Sequence, residues 1–431
     1  MTNSAATLEH FERQKNILLT SYRRVGTPVY TPVNIAVEGE HAFVRTWNTA
    51  GKFKRIRHHP TVEIAPSTVF GQRTGPAIRA RARVLEGAEA VHAGQALDRK
   101  YPLLQGVLVP MIHRLGHYRT IHIELTPLDD LVGRTVLITG ATAGIGRTAV
   151  IQLAQRGAQI IIVGRSEDRG RQAVADISAQ SHNDQVSFLQ ADMGHLESVR
   201  RLAQVVRQQY PQVDTLVNNV AGLSPTRQET VDGLEATLAV THLGPFLLTR
   251  LLVPLLEEKP IGRVVNLMSG TYRFGSLDPL TLEPSGPYRG FDAYMSAKLA
   301  LLLTSLELAR RTQGSTLRVL LADPGGADTD TLTVSLQPGM LSARMRLMAT
   351  FFSLLVRRPG NLERAARSSV EAVTSTDLMS GDYLKANTRP SQIARVAQDA
   401  AFAQRVWAAS NRLVGLPDDL RVSETLFSTQ E

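Results

Sequence analysis

Tyr294 and Lys298 stand four residues apart in Ala293-Tyr294-Met295-Ser296-Ala297-Lys298, directly ahead of the apolar run from Leu299 to Leu303. On a helix that spacing stacks the two side chains on one face. A free phenol titrates near pH 10, too high for ready proton exchange at neutral pH. An ammonium one turn away favours the phenolate and draws the phenol toward the working range. The pair therefore suits proton transfer to or from a reacting oxygen. The chain holds seven lysines against 41 arginines, so a lysine here implies that a compact ammonium, and not a guanidinium fork, is wanted. Tyr-x-x-x-Lys also describes many solvated helix faces, and the surrounding elements must decide between the two readings.

Those elements alternate. Arg134-Thr135-Val136-Leu137-Ile138 is an apolar run of buried parallel-strand type. It opens onto Thr139-Gly140-Ala141-Thr142-Ala143-Gly144-Ile145-Gly146-Arg147, followed by a helix predicted from Thr148 to Gln155. Gly140 permits a sharp turn, while Gly144 and Gly146 let a pyrophosphate approach the helix N-terminus, where free amides favour anions. The next strand, Gln159 to Val163, ends in Gly164-Arg165-Ser166. A site for NAD calls for an acid there; Arg165 instead suits a 2′-phosphate, with Arg147 in reach, so NADP(H) is the expected cofactor. Asp192, with Met193 behind it, closes the third strand and is placed to meet the adenine amino group. Further strands run from Val213 to Val217, ahead of Asn218, from Arg263 to Met268, ahead of Ser269, and from Leu317 to Ala322, ahead of Asp323-Pro324-Gly325. Leu234 to Leu256 reads as one long helix and Asp292 to Arg311 as the helix bearing the Tyr/Lys pair. Such alternation predicts a doubly wound parallel sheet with its ligand at the carboxyl ends of the strands. The glycine turn, Asn218, Ser269 and Pro324 all fall at such ends.

The bulk numbers set the frame. A chain of 431 residues calls for two domains, expected here as 1–128 and 129–431. A hydrophobic content of 43% with 20% charged residues describes a folded globular protein. The formal charge is +9, but the arginines are scattered and no basic run is interleaved with aromatics, so no nucleic-acid partner is expected. The absence of cysteine removes disulfides and thiolate metal sites, and no metal is expected. The opening residues, Met1 to Arg13, are polar and acidic, unlike a secretory leader. No apolar run reaches the roughly 18 residues of a membrane span. A cytoplasmic location is the expectation.

The first 128 residues read differently. After a helix predicted from Ala5 to Lys15, short strands follow at 16–22, 29–37, 41–46, 62–65 and 77–85, separated by Gly/Pro turns. This spacing predicts a small antiparallel barrel. Between two of its strands lie small residues and then the cations Lys52, Lys54 and Arg55, suited to holding a phosphate. Three strings carry a resemblance: Gly26-Thr27-Pro28-Val29 with Thr31-Pro32-Val33; Gly51-Lys52-Phe53-Lys54-Arg55 with His59-Pro60; and Thr74-Gly75-Pro76 with Ala80-Arg81-Ala82-Arg83-Val84-Leu85. Together they resemble the pyridoxamine-phosphate-oxidase-like split barrels, in the branch using deazaflavin coenzyme in place of FMN. The resemblance implies that Lys52, Lys54 and Arg55 grip the phosphate of FMN or deazaflavin, and that the chain forms a homodimer. The competing reading is a barrel that only assembles the dimer.

Residues 131 to 416 resemble the short-chain dehydrogenase/reductase family. Thr139, Gly140, Gly144, Ile145 and Gly146 lie in its cofactor turn, and Asn218-Asn219 opens its Asn-Asn-Ala-Gly element. Ser269, Tyr294 and Lys298 match its catalytic set, and Pro324-Gly325 its loop beside the nicotinamide. Pro225-Thr226-Arg227-Gln228, the string from His242 to Thr249, and Tyr272-Arg273-Phe274-Gly275 are similar to retinol-dehydrogenase-like members. The resemblance implies an NADP-dependent oxidoreductase acting on alcohols and carbonyls of an apolar small molecule. Three departures stand out. Thr241 replaces the Asn that props a water in the proton relay, Val220 interrupts the Asn-Asn-Ala-Gly element, and Asp323 precedes Pro-Gly. They imply slowed or retuned catalysis, or else an NADP-binding domain without turnover. Residues 340–358, rich in Met, Phe and Arg, fall where the family has a substrate lid; a peripheral membrane contact and a plain covering helix are the alternatives.

Overall fold

The computed structural model describes residues 8–23, 27–39, 41–75, 77–102, 109, 118–127, 131–181, 183–325, 361–375, 378–385 and 390–420. The chain divides into two compact units, Met1–Val132 and Gly133–Glu431. The segment 340–358 lies outside the described residues.

Unit 1 opens with a single helical turn, α1 (Glu9–Glu12), where a longer helix was expected. Strands β1 (Asn16–Tyr22), β2 (Pro28–Asn34), β3 (Ala36–Glu38), β4 (His41–Trp47), β5 (Thr61–Pro66), β6 (Ile78–Val84) and β7 (Thr120–Pro127) follow. They pair antiparallel in the order β2-β1-β5-β6-β7-β4-β3. Alternate residues point to one side of a strand. Ile17 and Leu19 of β1 thereby join Val62, Ile64, Ala80, Ala82, Ile123 and Leu125 in one core. Helix α3 (Gly87–Lys100) packs Ala93, Ala96 and Leu97 on Phe43 in a second, smaller cluster. The cationic stretch after β4 forms helix α2 (Gly51–His58).

Unit 2 is an α/β fold of Rossmann type. Its strands β8 (Thr135–Thr139), β9 (Gln159–Gly164), β10 (Val186–Gln190), β11 (Val213–Asn218), β12 (Arg263–Leu267), β13 (Arg318–Ala322) and β14 (Tyr383–Leu384) run parallel in the order β10-β9-β8-β11-β12-β13-β14. Every residue of β8, β11 and β12 is buried, as expected where helices cover both faces. Helices α4 (Gly144–Ala154), α5 (Glu167–Ser181) and α6 (Leu196–Gln209) connect the first four strands. The order reverses between β8 and β11, which opens a crevice at their carboxyl ends.

The helix expected from Leu234 to Leu256 is built in three parts: α7 (Ala236–Leu238), a π turn (Ala239–Leu243) and α8 (Gly244–Glu257). Glu235 caps it by accepting from the amides of Thr237 and Leu238. The span Ala236–Glu257 does have the length and hydropathy of a membrane-crossing helix, contrary to the sequence count, but 83% of its most apolar window is buried within the fold. Core packing accounts for that apolarity. Helix α9 (Gly290–Arg311), which carries Tyr294 and Lys298, is buried from Ala293 through Ser305. Helices α10 (Asn361–Thr374) and α11 (Ala400–Leu413) complete the unit.

Candidate active site

The crevice begins at the turn from β8 to α4. Gly140 has φ +68°, and its amide donates to the Val163 carbonyl of β9 at 2.9 Å. Asn219, just past β11, fills the space behind the turn. Its Nδ2 donates to the carbonyls of Thr139 and Gly140 at 3.0 and 2.9 Å, while its own amide donates to Thr139 Oγ1 at 3.2 Å. A Cβ at Gly146 would lie 2.4 Å from Asn219 Nδ2 and 2.9 Å from the Gly140 oxygen, so only glycine fits. Helix α4 carries no side-chain cap and no acid in its first turn. The amides of Gly144, Ile145 and Gly146 thus open the helix toward the crevice.

Across the crevice, β12 delivers Ser269, which accepts from the Thr271 amide and shares a 2.9 Å hydrogen bond with the Thr271 hydroxyl. The Tyr294 phenol lies near enough to Ser269 for the serine to favour its ionised form. Lys298 lies one turn along α9, its ammonium 5.9 Å from the centre of the Tyr294 ring, and donates to the Leu267 carbonyl at 2.6 Å. The three predicted side chains therefore meet. Their electrostatics differ from the expectation. Burial pushes the Tyr294 phenol up to about 12, partly opposed by the neighbouring Ser269. Burial likewise pulls Lys298 down to about 7, against the attraction of Asp323. Desolvation outweighs the ammonium here, because both groups are enclosed.

Other predicted residues sit elsewhere. The Thr241 hydroxyl, in the π turn, accepts from the Gly222 amide at 3.0 Å and donates to the Gly222 carbonyl at 3.2 Å, so it is taken up by the backbone beside β11 and not by the lysine. Asn218 points into the core, where its Nδ2 donates to Thr249 and Asn266, both at 2.8 Å. Asn219, which the sequence left in the shadow of its neighbour, makes the link to the glycine turn. Asp192 accepts from the Gly194 amide at 2.8 Å, and Met193 is buried behind it. Arg165 is exposed at the end of β9. Arg147 forms an ion pair with Asp176 of α5 at 2.9 Å, so it is already engaged. Pro324 is buried, and Gly325, with φ +68°, donates its amide to Asp323 Oδ1 at 2.9 Å.

In unit 1 the cations lie on α2. The Lys52 ammonium stands 5.8 Å from the centre of the Trp47 ring and is lowered to about 8 by burial and by Arg55. Arg55 donates to Ser21 Oγ of β1 at 2.9 Å. Lys54 is exposed. Two of the three predicted cations are therefore brought together.

Residues 134–338 match the family model described as short chain dehydrogenase. The chain is 34% identical over 311 residues to dehydrogenase/reductase SDR family member 13 of Bos taurus, covering 70% of this chain and 80% of that protein. It is 35% identical over 289 residues to human retinol dehydrogenase 13, covering 66% of this chain and 85% of that protein. The crystal structure of an uncharacterized protein from Mycobacterium paratuberculosis is similar at 30% identity and a TM-score of 0.53, over 67% of this chain and 96% of that one. With its glycine turn and its Ser-Tyr-Lys set at the carboxyl ends of the strands, the chain belongs to the short-chain dehydrogenase family of oxidoreductases.

Proposed function

We propose that the protein is an NADP(H)-dependent oxidoreductase that moves hydride between the nicotinamide and the carbonyl or alcohol carbon of an apolar small molecule. The grouping of Tyr294 with Ser269, and of Lys298 one turn behind with its ammonium 5.9 Å from the Tyr294 ring, carries this reading. A relative named for retinol, an apolar alcohol, supports the substrate class.

The crevice fits a dinucleotide. The Gly146 cradle has no room for a Cβ, and the uncapped amides of Gly144, Ile145 and Gly146 would hold the pyrophosphate. Arg165 would take the 2′-phosphate, joined by Arg147 on exchange of its Asp176 partner, and Asp192 would meet the adenine amino group. When bound, the cofactor supplies or accepts the hydride. Tyr294 gives its proton to the substrate oxygen, and Ser269 donates a hydrogen bond to that oxygen as negative charge grows. At neutral pH the phenol of Tyr294, pushed up to about 12, is in its proton-donating form. That state favours carbonyl reduction.

For unit 1 the reading is a split barrel that holds the phosphate of FMN or a deazaflavin coenzyme on Lys52 and Arg55, within a cytoplasmic homodimer. A second reading is favoured by Thr241, whose hydroxyl is occupied by Gly222: a dinucleotide-binding dimer with little turnover. Carbonyl-dependent NADPH oxidation across a panel of apolar aldehydes and ketones separates the two. The enzyme reading expects activity that Tyr294→Phe removes while dinucleotide affinity holds. A wild-type chain that binds NADPH and oxidises none of the panel belongs to the second.

A further inference from the structure

Asp323 is 5% exposed, at the carboxyl end of β13, beside a site whose chemistry is proton transfer. Both its oxygens are engaged. Oδ1 accepts from the Gly325 amide at 2.9 Å, and Oδ2 accepts from the Tyr383 hydroxyl of β14 at 2.7 Å. Oδ2 also lies 3.4 Å from where a Cβ on Gly270 would stand, so the carboxylate rests against the residue that follows Ser269. Tyr383 packs edge-on to Tyr272 at 5.8 Å, and the Tyr272 hydroxyl accepts from the Ala394 amide at 3.1 Å.

We infer that Asp323 is a positioning residue for the reaction: through Tyr383 and Gly325 it pins the Pro324–Gly325 turn against β14, and its negative charge sets the field in which Tyr294 and Lys298 exchange protons. The groups facing it are Tyr383 on β14, Arg273 on the 3-10 turn after β12, and Tyr294 and Lys298 on α9, with Tyr272 packed behind Tyr383. Arg273 offsets part of the charge from its exposed position. A buried carboxylate opposes formation of a second anion and favours a nearby cation. Asp323 accordingly raises both Tyr294 and Lys298, holding the first as a phenol and the second as an ammonium to higher pH than burial alone would allow. The device biases the site toward donating a proton, that is, toward reduction. It rests on the oxidoreductase reading above.

Asp323→Asn keeps the shape and removes the charge. In that variant the phenolate of Tyr294 should appear at a pH lower by about one unit, read by ultraviolet difference titration of the full chain with NADP+ present. Tyr294→Phe identifies the signal. The alkaline fall of kcat/KM for carbonyl reduction should move to lower pH by a similar amount. Tyr383→Phe keeps the charge and loosens the turn, so it should raise KM for NADPH several-fold and leave kcat and the pH profile close to wild type. An unmoved phenolate titration in Asp323→Asn overturns the electrostatic role, and an unchanged KM for NADPH in Tyr383→Phe overturns the clamp. If both variants merely melt earlier, with titration and KM unaltered, Asp323 is only structural. A wild-type chain without turnover defeats the oxidoreductase reading alone, because the phenolate titration needs none and the clamp is then read from the Kd for NADPH of Tyr383→Phe against wild type.

Discussion

Two lysines in this chain lie beside an aromatic ring at nearly the same distance, and their surroundings send them to different work. Lys298 stands 5.9 Å from the Tyr294 ring and Lys52 stands 5.8 Å from the Trp47 ring. Burial lowers both, to about 7 and about 8. Lys298 is compensated from within: the Leu267 carbonyl accepts a hydrogen bond from its ammonium at 2.6 Å and Asp323 supplies negative charge. Lys52 has no carboxylate partner among the described residues, and its neighbour in charge is Arg55, another cation. A buried cation with a built-in acceptor can sit in a proton relay. Two half-buried cations that repel one another are stabilised by an anion from outside.

The sharpest break of this comparison is Tyr294→Phe. General acid catalysis contributes about 10²–10⁴ in rate, and a loss of that size in carbonyl reduction is expected, with NADPH affinity unchanged by fluorescence titration. The corresponding change in unit 1, Lys52→Ala, should leave carbonyl reduction alone. It should weaken FMN or deazaflavin binding by about 10–100-fold, the worth of a charge-assisted hydrogen bond. Equal affinity for the flavin with and without its phosphate would remove the anion role from Lys52. A smaller effect is expected of Arg165→Ala. One exposed guanidinium lost from the 2′-phosphate should lower the preference for NADPH over NADH by about tenfold, since Arg147 retains part of the contact. No change in that preference would leave the 2′-phosphate to other residues.

What could be read from the sequence follows the same division. The glycine turn was legible because its chemistry is backbone chemistry: Gly140 and Gly146 are required by a positive φ and by lack of room, whatever surrounds them. Tyr294 and Lys298 were legible because their spacing on a helix fixes their shared face. Their proton affinities were not, since desolvation depends on the closure of the whole crevice. Asn218 and Asn219 show the limit of a strand end. Neighbours there point to opposite sides, and only the sheet decides that Asn218 meets Thr249 and Asn266 while Asn219 meets the glycine turn. Thr241 shows a related limit. It lies in a π turn, which shifts side chains off the helical register and delivers its hydroxyl to Gly222. Arg147 shows what spacing omits altogether: its partner Asp176 is on the next helix.

The two lysines also leave separate marks on stability, and these sharpen the comparison most finely. Lys298 titrates near 7 when folded and near the ordinary 10.5 when not. Below pH 7 both states hold the proton, and the cost of burying the ammonium is paid in full. Between about 7 and 10 the unfolded chain binds more protons, so stability rises with pH across that window. Lys298→Met should therefore flatten the rise of Tm between pH 7 and 10, and gain most over wild type near pH 6. Lys52, at about 8, opens its window later and closes it at the same place. Lys52→Met should flatten the profile only above pH 8, and by less, because its amine is half-buried and solvent screens part of the effect. Identical Tm profiles for the two variants would mean that the deeper burial of Lys298 does not set it apart from Lys52, and the contrast between the two lysines would be lost.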